Sequence, residues 1–145
     1  MIRDITPNDR SIFLEMTERL YSSNAVTHKV GSHIFEETFH AAVNNSPFIR
    51  AYIIEDDEKP VGYALLSFSF ATEVGGLVVL LEDLYISDSC RGKGLGSQFM
   101  KFLEEEYPLV KRFRLEVTKE NKKAMDLYSK LGYRVLDYVQ MVKDI

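Results

Sequence analysis

The sequence predicts a single α/β domain, a mixed β-sheet with helices on both faces, in the order β-α-α-β-β-β-α-β-α-β. Three observations predict it. The chain has 145 residues, enough for one core and too few for two, so residues 1–145 read as one domain. Apolar residues make up 46% and charged residues 28%, the balance of an ordinary folded, soluble protein. Three consecutive β-rich stretches then give way to alternating helical and β-rich patterns, with a glycine cluster where the pattern changes.

Met1 to Ile5 reads as a short strand. Thr6 caps a helix, with Pro7 at its first position and Asp9 three residues after the cap. Ile12, Phe13, Met16 and Leu20 give that helix an apolar face. Residues 21–31 are irregular. A second helix runs from Ser32 to about Asn44, and Pro47 follows its end. Phe48 to Ile54 and Val61 to Phe70 are strands, and the charged run Glu55-Asp56-Asp57-Glu58-Lys59 between them reads as a solvated hairpin loop. Gly75-Gly76 marks a turn into a long strand, Leu77 to Ser87.

After the glycine cluster, Leu95, Phe99, Phe102 and Leu103 share one face of a helix that reaches about Tyr107. Phe113 to Val117 is a strand. Asn121 to Leu131 is a helix ended by Gly132. Tyr133 to Val142 reads as the last strand.

The net charge of −4 argues against a general nucleic-acid binder, which needs a basic excess to neutralise phosphates. The total conceals a division. Residues 1–90 hold 6 basic and 14 acidic residues, and residues 91–145 hold 12 basic and 8 acidic. The single cysteine, Cys90, excludes an intrachain disulfide. No basic segment followed by an apolar stretch opens the chain, and the longest apolar run, Leu77 to Leu81, is too short to cross a bilayer. The expected setting is the cytoplasm.

Arg91-Gly92-Lys93-Gly94-Leu95-Gly96 lies at the junction of a buried strand and an amphipathic helix. A helix N-terminus presents unpaired N–H groups and partial positive charge. Glycines let a phosphate approach those amides, and Arg91 and Lys93 add formal charge. Lys93 is followed by Gly94, not Ser or Thr, so this is no P-loop. The third glycine comes one residue early for a dinucleotide fingerprint.

The loop resembles the Arg/Gln-x-x-Gly-x-Gly/Ala loop of the GCN5-related N-acetyltransferase (GNAT) family. Leu81-Glu82-Asp83-Leu84-Tyr85-Ile86 before the loop, and Asn121, Tyr128 and Leu131-Gly132-Tyr133 after it, extend the likeness. Within the family, Leu-Glu-Asp ahead of the loop is most similar to the diamine acetyltransferase branch. The resemblance implies a GNAT-type fold and direct acetyl transfer from acetyl-CoA to a primary amine, with no metal. It assigns the CoA pyrophosphate to Arg91, Gly92, Lys93, Gly94, Leu95 and Gly96, with Ser97 also among the cofactor-binding residues. It places the pantetheine beside Leu84, Tyr85 and Ile86, on a strand splayed by a bulge. Asn121 and Tyr128 also fall on the cofactor side.

The residues themselves supply candidates for the chemistry. An alkyl amine titrates near ~10.4, so presenting it neutral at pH 7 costs about 4.6 kcal/mol. A base must take that proton, and backbone N–H groups must hold the oxyanion. Glu82, in a stretch that otherwise reads as core, is the candidate base, directly or through water. Asp83 is its competitor, on the opposite face unless a bulge intervenes. Tyr128, two helical turns from Asn121 and on the same face, is the candidate acid for the departing thiolate. Read without the family, Tyr128 is an ordinary half-buried tyrosine.

The acidic first part, with Glu36, Glu37 and segment 21–31, would attract a cationic acceptor, or is simply a solvated face. His28, His33 and His40 have no metal-binding spacing. Cys90 lacks an identifiable histidine base. Tyr52, Tyr63, Phe68 and Phe70 read as core or pocket wall.

The expected function is N-acetylation of a primary amine, with a polyamine or other small amine first. The expected partners are acetyl-CoA, the amine and a second copy in a homodimer, without nucleic acid or membrane. The alternatives are a non-catalytic acyl-CoA sensor and an acetyltransferase acting on a protein N-terminus or lysine.

Overall fold

The computed structural model describes residues 1–145. Its strands are β1 (Ile2–Asp4), β2 (Ile49–Asp56), β3 (Lys59–Ala71), β4 (Gly76–Ile86) and β5 (Arg112–Leu115), joined in that order in one sheet. Pairing is antiparallel from β1 through β4, and β5 joins β4 in parallel. Parallel neighbours need a crossover. Helix α3 (Leu95–Glu106) supplies it, preceded by α1 (Arg10–Tyr21) and α2 (Ser32–Val43) and followed by α4 (Lys122–Lys130).

Helices lie on both faces, as expected. Phe13, Met16 and Leu20 of α1 and Phe39 of α2 bury against Ile53, Tyr63 and Tyr85 on one side. Phe99, Met100 and Leu103 of α3 bury against Tyr52, Leu66 and Val79 on the other. Phe13 and Phe99 are fully enclosed. Each contributes about 1.5–3 kcal/mol by leaving water.

The N-terminal turn is built as the sequence predicts. Pro7 to Asp9 forms a 3₁₀ turn, and the Asp9 carboxylate accepts from both the Thr6 amide at 2.8 Å and the Thr6 hydroxyl at 2.9 Å. Arg3 adds a two-pronged contact to the same carboxylate, at 2.8 and 2.9 Å. Together these hold the Asp9 carboxyl at about 2, below its ordinary range, with the Arg3 hydrogen bond the largest cause.

Two expectations need correction. The acidic run after β2 is not a solvated loop. Asp57 and Glu58 alone make the turn, both with positive φ (48° and 60°), as a two-residue hairpin of matching twist requires. Glu55 stays in β2, buried, and accepts from Arg3 at 2.8 Å. The second correction concerns Tyr133 to Val142, which forms no strand. Its residues favour strands in composition, yet strand preference expresses fit to a neighbouring ladder. This segment pairs with none, and β5 keeps its outer edge unpaired.

Candidate active site

The site begins with a break in the β3–β4 ladder. Leu65 pairs with Asp83, but Leu66 pairs with Leu81, so Glu82 is an extra residue in β4. Such a bulge resets the alternation of side chains. Leu81 turns toward α3 with Leu66, while two residues later Asp83 turns toward α1 with Leu65. Asp83 therefore does not lie on the opposite face from Glu82, whose carboxylate accepts from Ser67 Oγ at 2.6 Å on the α1 side.

A second departure follows at once. β4 and β5 stay paired only from Val78–Arg112 to Leu81–Leu115. Beyond that point the chains part, leaving the β5-facing edge of Glu82 to Ile86 without a strand partner. A narrow cleft of about 70 Å³ opens there. Glu82, Asp83, Leu84, Asn121 and Tyr128 all line it. Asn121 caps α4, its side-chain oxygen accepting from the Ala124 amide at 3.3 Å. That cap aims the helix so that Tyr128 faces the cleft. A wider opening of about 1150 Å³ adjoins it, sharing Glu82, Asp83 and Tyr128 and bounded by residues 25–28 of the α1–α2 connection.

The two carboxylates differ in setting. Glu82 is exposed, whereas Asp83 is buried. Tyr21, the last residue of α1, donates to Asp83 Oδ1 at 2.9 Å, and Tyr63 of β3 donates to Oδ2 at 3.0 Å. Burial pushes the Asp83 carboxyl up, and the two phenols only partly offset it. Burial also raises the Tyr128 phenol, which keeps its proton through neutral pH.

The glycine loop stands apart from both openings. Gly92 and Gly94 hold φ of 81° and 80°, a conformation other residues adopt only under strain. Gly94 caps α3, whose first helical bond runs from the Gln98 amide to the Gly94 carbonyl at 2.9 Å. The amides of Leu95, Gly96 and Ser97 thus have no acceptor within the helix. Arg91 contacts the Ile86 carbonyl and Asp88, and Lys93 contacts Asp56 at 2.6 Å. Of the strand residues, Leu84 and Ile86 face the α3 core, while the Tyr85 ring stacks on Tyr63 in the α1 core. Tyr85 has only its main chain to offer at the edge.

Sequence reasoning missed Tyr21 and Ser67, and read Tyr63 only as core or wall. Ser67 and Tyr63 sit opposite β4 by strand register, which a single sequence does not display. Glu36, expected near the acceptor, is engaged by Arg10.

This arrangement, a bulged strand splayed from its parallel neighbour ahead of a glycine-capped helix, defines an acyl-CoA-dependent transferase. Residues 14–133 match the Acetyltransferase (GNAT) family model. The chain is 34% identical over 148 residues to thialysine N-epsilon-acetyltransferase of Sus scrofa, covering 94% of this chain and 85% of the relative. It is 33% identical to the Bos taurus enzyme of the same name, covering 91% and 82%. A possible acetyltransferase from Clostridium difficile 630 superposes with a TM-score of 0.85 at 16% identity, covering 100% of this chain and 97% of that one. AAC(6')-Iy in complex with the bisubstrate analog CoA-S-monomethyl-acetylneamine superposes with a TM-score of 0.80 at 14% identity, covering 100% and 97%. The chain belongs to the GNAT acetyltransferase family. It is an N-acetyltransferase that uses acetyl-CoA and acts on an amine.

Proposed function

We propose that the acceptor is a small primary amine carrying a second polar group, of the lysine-like or diamine kind, and that the transfer is direct. The observation that carries this reading is the shared cleft of Glu82, Asp83 and Tyr128, which puts two carboxylates beside the phenol and is entered from a wide opening. The names of the pig and cattle relatives, thialysine N-epsilon-acetyltransferases, favour the same acceptor class.

The residues divide the work. Acetyl-CoA would lay its pantetheine along the unpaired edge of Leu84 to Ile86, taking main-chain hydrogen bonds as an added strand does. Its pyrophosphate would meet the Leu95, Gly96 and Ser97 amides, with Arg91 and Lys93 supplying charge and Gly92 and Gly94 the backbone shape. Glu82, exposed at the bulge, takes the ammonium proton through water. Backbone N–H groups freed where the ladder is broken hold the oxyanion. Tyr128, protonated at neutral pH, returns a proton to the thiolate. Asp83 gives the acceptor's cationic group an anionic contact, its carboxylate oriented by Tyr21 and Tyr63. The enzyme works as a homodimer, a reading supported by exposed Val139, Met141 and Val142 near the C-terminus.

A release assay for CoA across diamines, lysine and thialysine, aminoglycosides and peptides tests the acceptor. Small lysine-like amines and diamines should give the highest kcat/KM. Turnover confined to peptide N-termini or aminoglycosides would overturn the acceptor class. CoA binding without amine-dependent release would favour a sensor.

A further inference from the structure

Three hydroxyl groups meet the two carboxylates at the bulge, and they are shared unequally. Tyr21 and Tyr63 both donate to Asp83, one to each oxygen. Ser67 donates to Glu82 Oε1 at 2.6 Å, the only side-chain hydrogen bond that Glu82 makes. Tyr21 of α1, His28 of the α1–α2 connection, Glu116 after β5 and Tyr128 of α4 line the same wide opening without bonding it.

Strand register explains the contact. Ser67 follows Leu65 by two residues, so it lies on the α1 side of β3, and it pairs with Leu80. Glu82 is its diagonal neighbour on that face, within reach of a long side chain. An exposed glutamate samples several rotamers, and a base contributes only from the one that faces the reacting amine or its water. The Ser67 bond selects one rotamer. It engages Oε1 and leaves Oε2 open. Ser67 itself lines neither opening, so it acts through Glu82.

We infer that Ser67 is a positioning residue for the transfer, its hydroxyl holding Glu82 Oε1 so that Oε2 is presented to the water that takes the ammonium proton. This rests on the reading of Glu82 as the base. A hydroxyl suits the task. Its bond to a carboxylate is short and strong, yet it brings no positive charge, which would weaken the carboxylate as a base.

Steady-state kinetics of the full chain, with a diamine as acceptor, test the role in Ser67→Ala, Ser67→Thr, Glu82→Gln and the Ser67→Ala/Glu82→Gln pair. Ser67→Ala should lower kcat about tenfold and leave the KM values for acetyl-CoA and the diamine unchanged. Ser67→Thr keeps the hydroxyl and should restore most of the rate. In the Glu82→Gln background, Ser67→Ala should cost nothing further, because the two residues act as one unit. An equal loss in both backgrounds, or a Thr variant no better than Ala, overturns the positioning role. Circular dichroism checks folding. If Ser67→Ala does not fold, Ser67→Thr against Ser67→Val decides, since the two match in shape and differ by one hydroxyl, and equal rates overturn the role. Ser67→Ala at the wild-type rate beside an impaired Glu82→Gln overturns the role and leaves the base standing. An unimpaired Glu82→Gln overturns both.

Discussion

Tyr63 donates to Asp83 Oδ2 at 3.0 Å across the β3–β4 pair, one residue beyond the bulge that turns Glu82 out to solvent. One carboxylate is thereby locked and its neighbour left exposed to a reacting molecule. The proposed division between an orienting acid and a working base follows from that placement.

Glu82→Gln should lower kcat by about 10²–10⁴-fold, the usual share of a general base. The residual rate should climb about tenfold per pH unit below the amine pKa, because only the spontaneously neutral amine still reacts. Steady-state kinetics from pH 6 to 9 check this, and an unchanged rate removes Glu82 from the role.

Tyr128→Phe should lower kcat with little change in KM, since the phenol acts on the departing thiolate. The wild-type profile should show no loss of activity from this phenol near neutrality, because burial raises it above its ordinary value.

Asp83 offers a stability test. Its carboxyl is raised in the folded protein, so the fold retains a proton that the unfolded chain gives up. Stability attributable to this group therefore falls as pH rises from its ordinary value near ~3.9 through its raised folded value. The melting temperature of Asp83→Asn, relative to wild type, should rise across that window and level off above it. Tyr63→Phe should cost about 1–3 kcal/mol by leaving a buried acceptor short of a donor.

Asp9 works in the opposite direction. Its folded value of about 2 lies below the unfolded one, so its contribution is full above about pH 4 and is lost as pH falls through about 2. Asp9→Ala should cost about 0.5–2 kcal/mol at pH 7, with the difference shrinking in acid.

Gly94→Ala should destabilise by about 1–2 kcal/mol, the cost of a Cβ in the left-handed region. It should also raise the KM for acetyl-CoA, whereas Gly94→Asn should be milder. Thermal melts with and without CoA measure both effects.

Most of this fold was legible because its signals are local. Thr6, Pro7 and Asp9 specify a helix start, and the 3.6-residue spacing of Leu95, Phe99 and Leu103 specifies a buried face. The glycine loop was legible for the same reason, since positive φ at Gly92 and Gly94 demands the residues found there. What escaped depends on partners distant in sequence. The family resemblance implied a bulge in this strand, but its place at Glu82 is fixed only by the register of β4 against β3. Tyr21 reaches Asp83 across 62 positions, and no periodicity announces that. The segment from Tyr133 to Val142 has strand composition, but a strand also needs an edge to join, and its own fold does not bring one to it.

The most direct test of amine transfer at the Glu82–Tyr128 cleft is rapid-mixing measurement of CoA thiol release, first without acceptor and then with a saturating diamine. Direct transfer predicts no burst in the absence of amine, followed by release that matches N-acetyl product one for one. A stoichiometric burst before any amine is added would show acetyl passing first to the protein, and would contradict that mechanism.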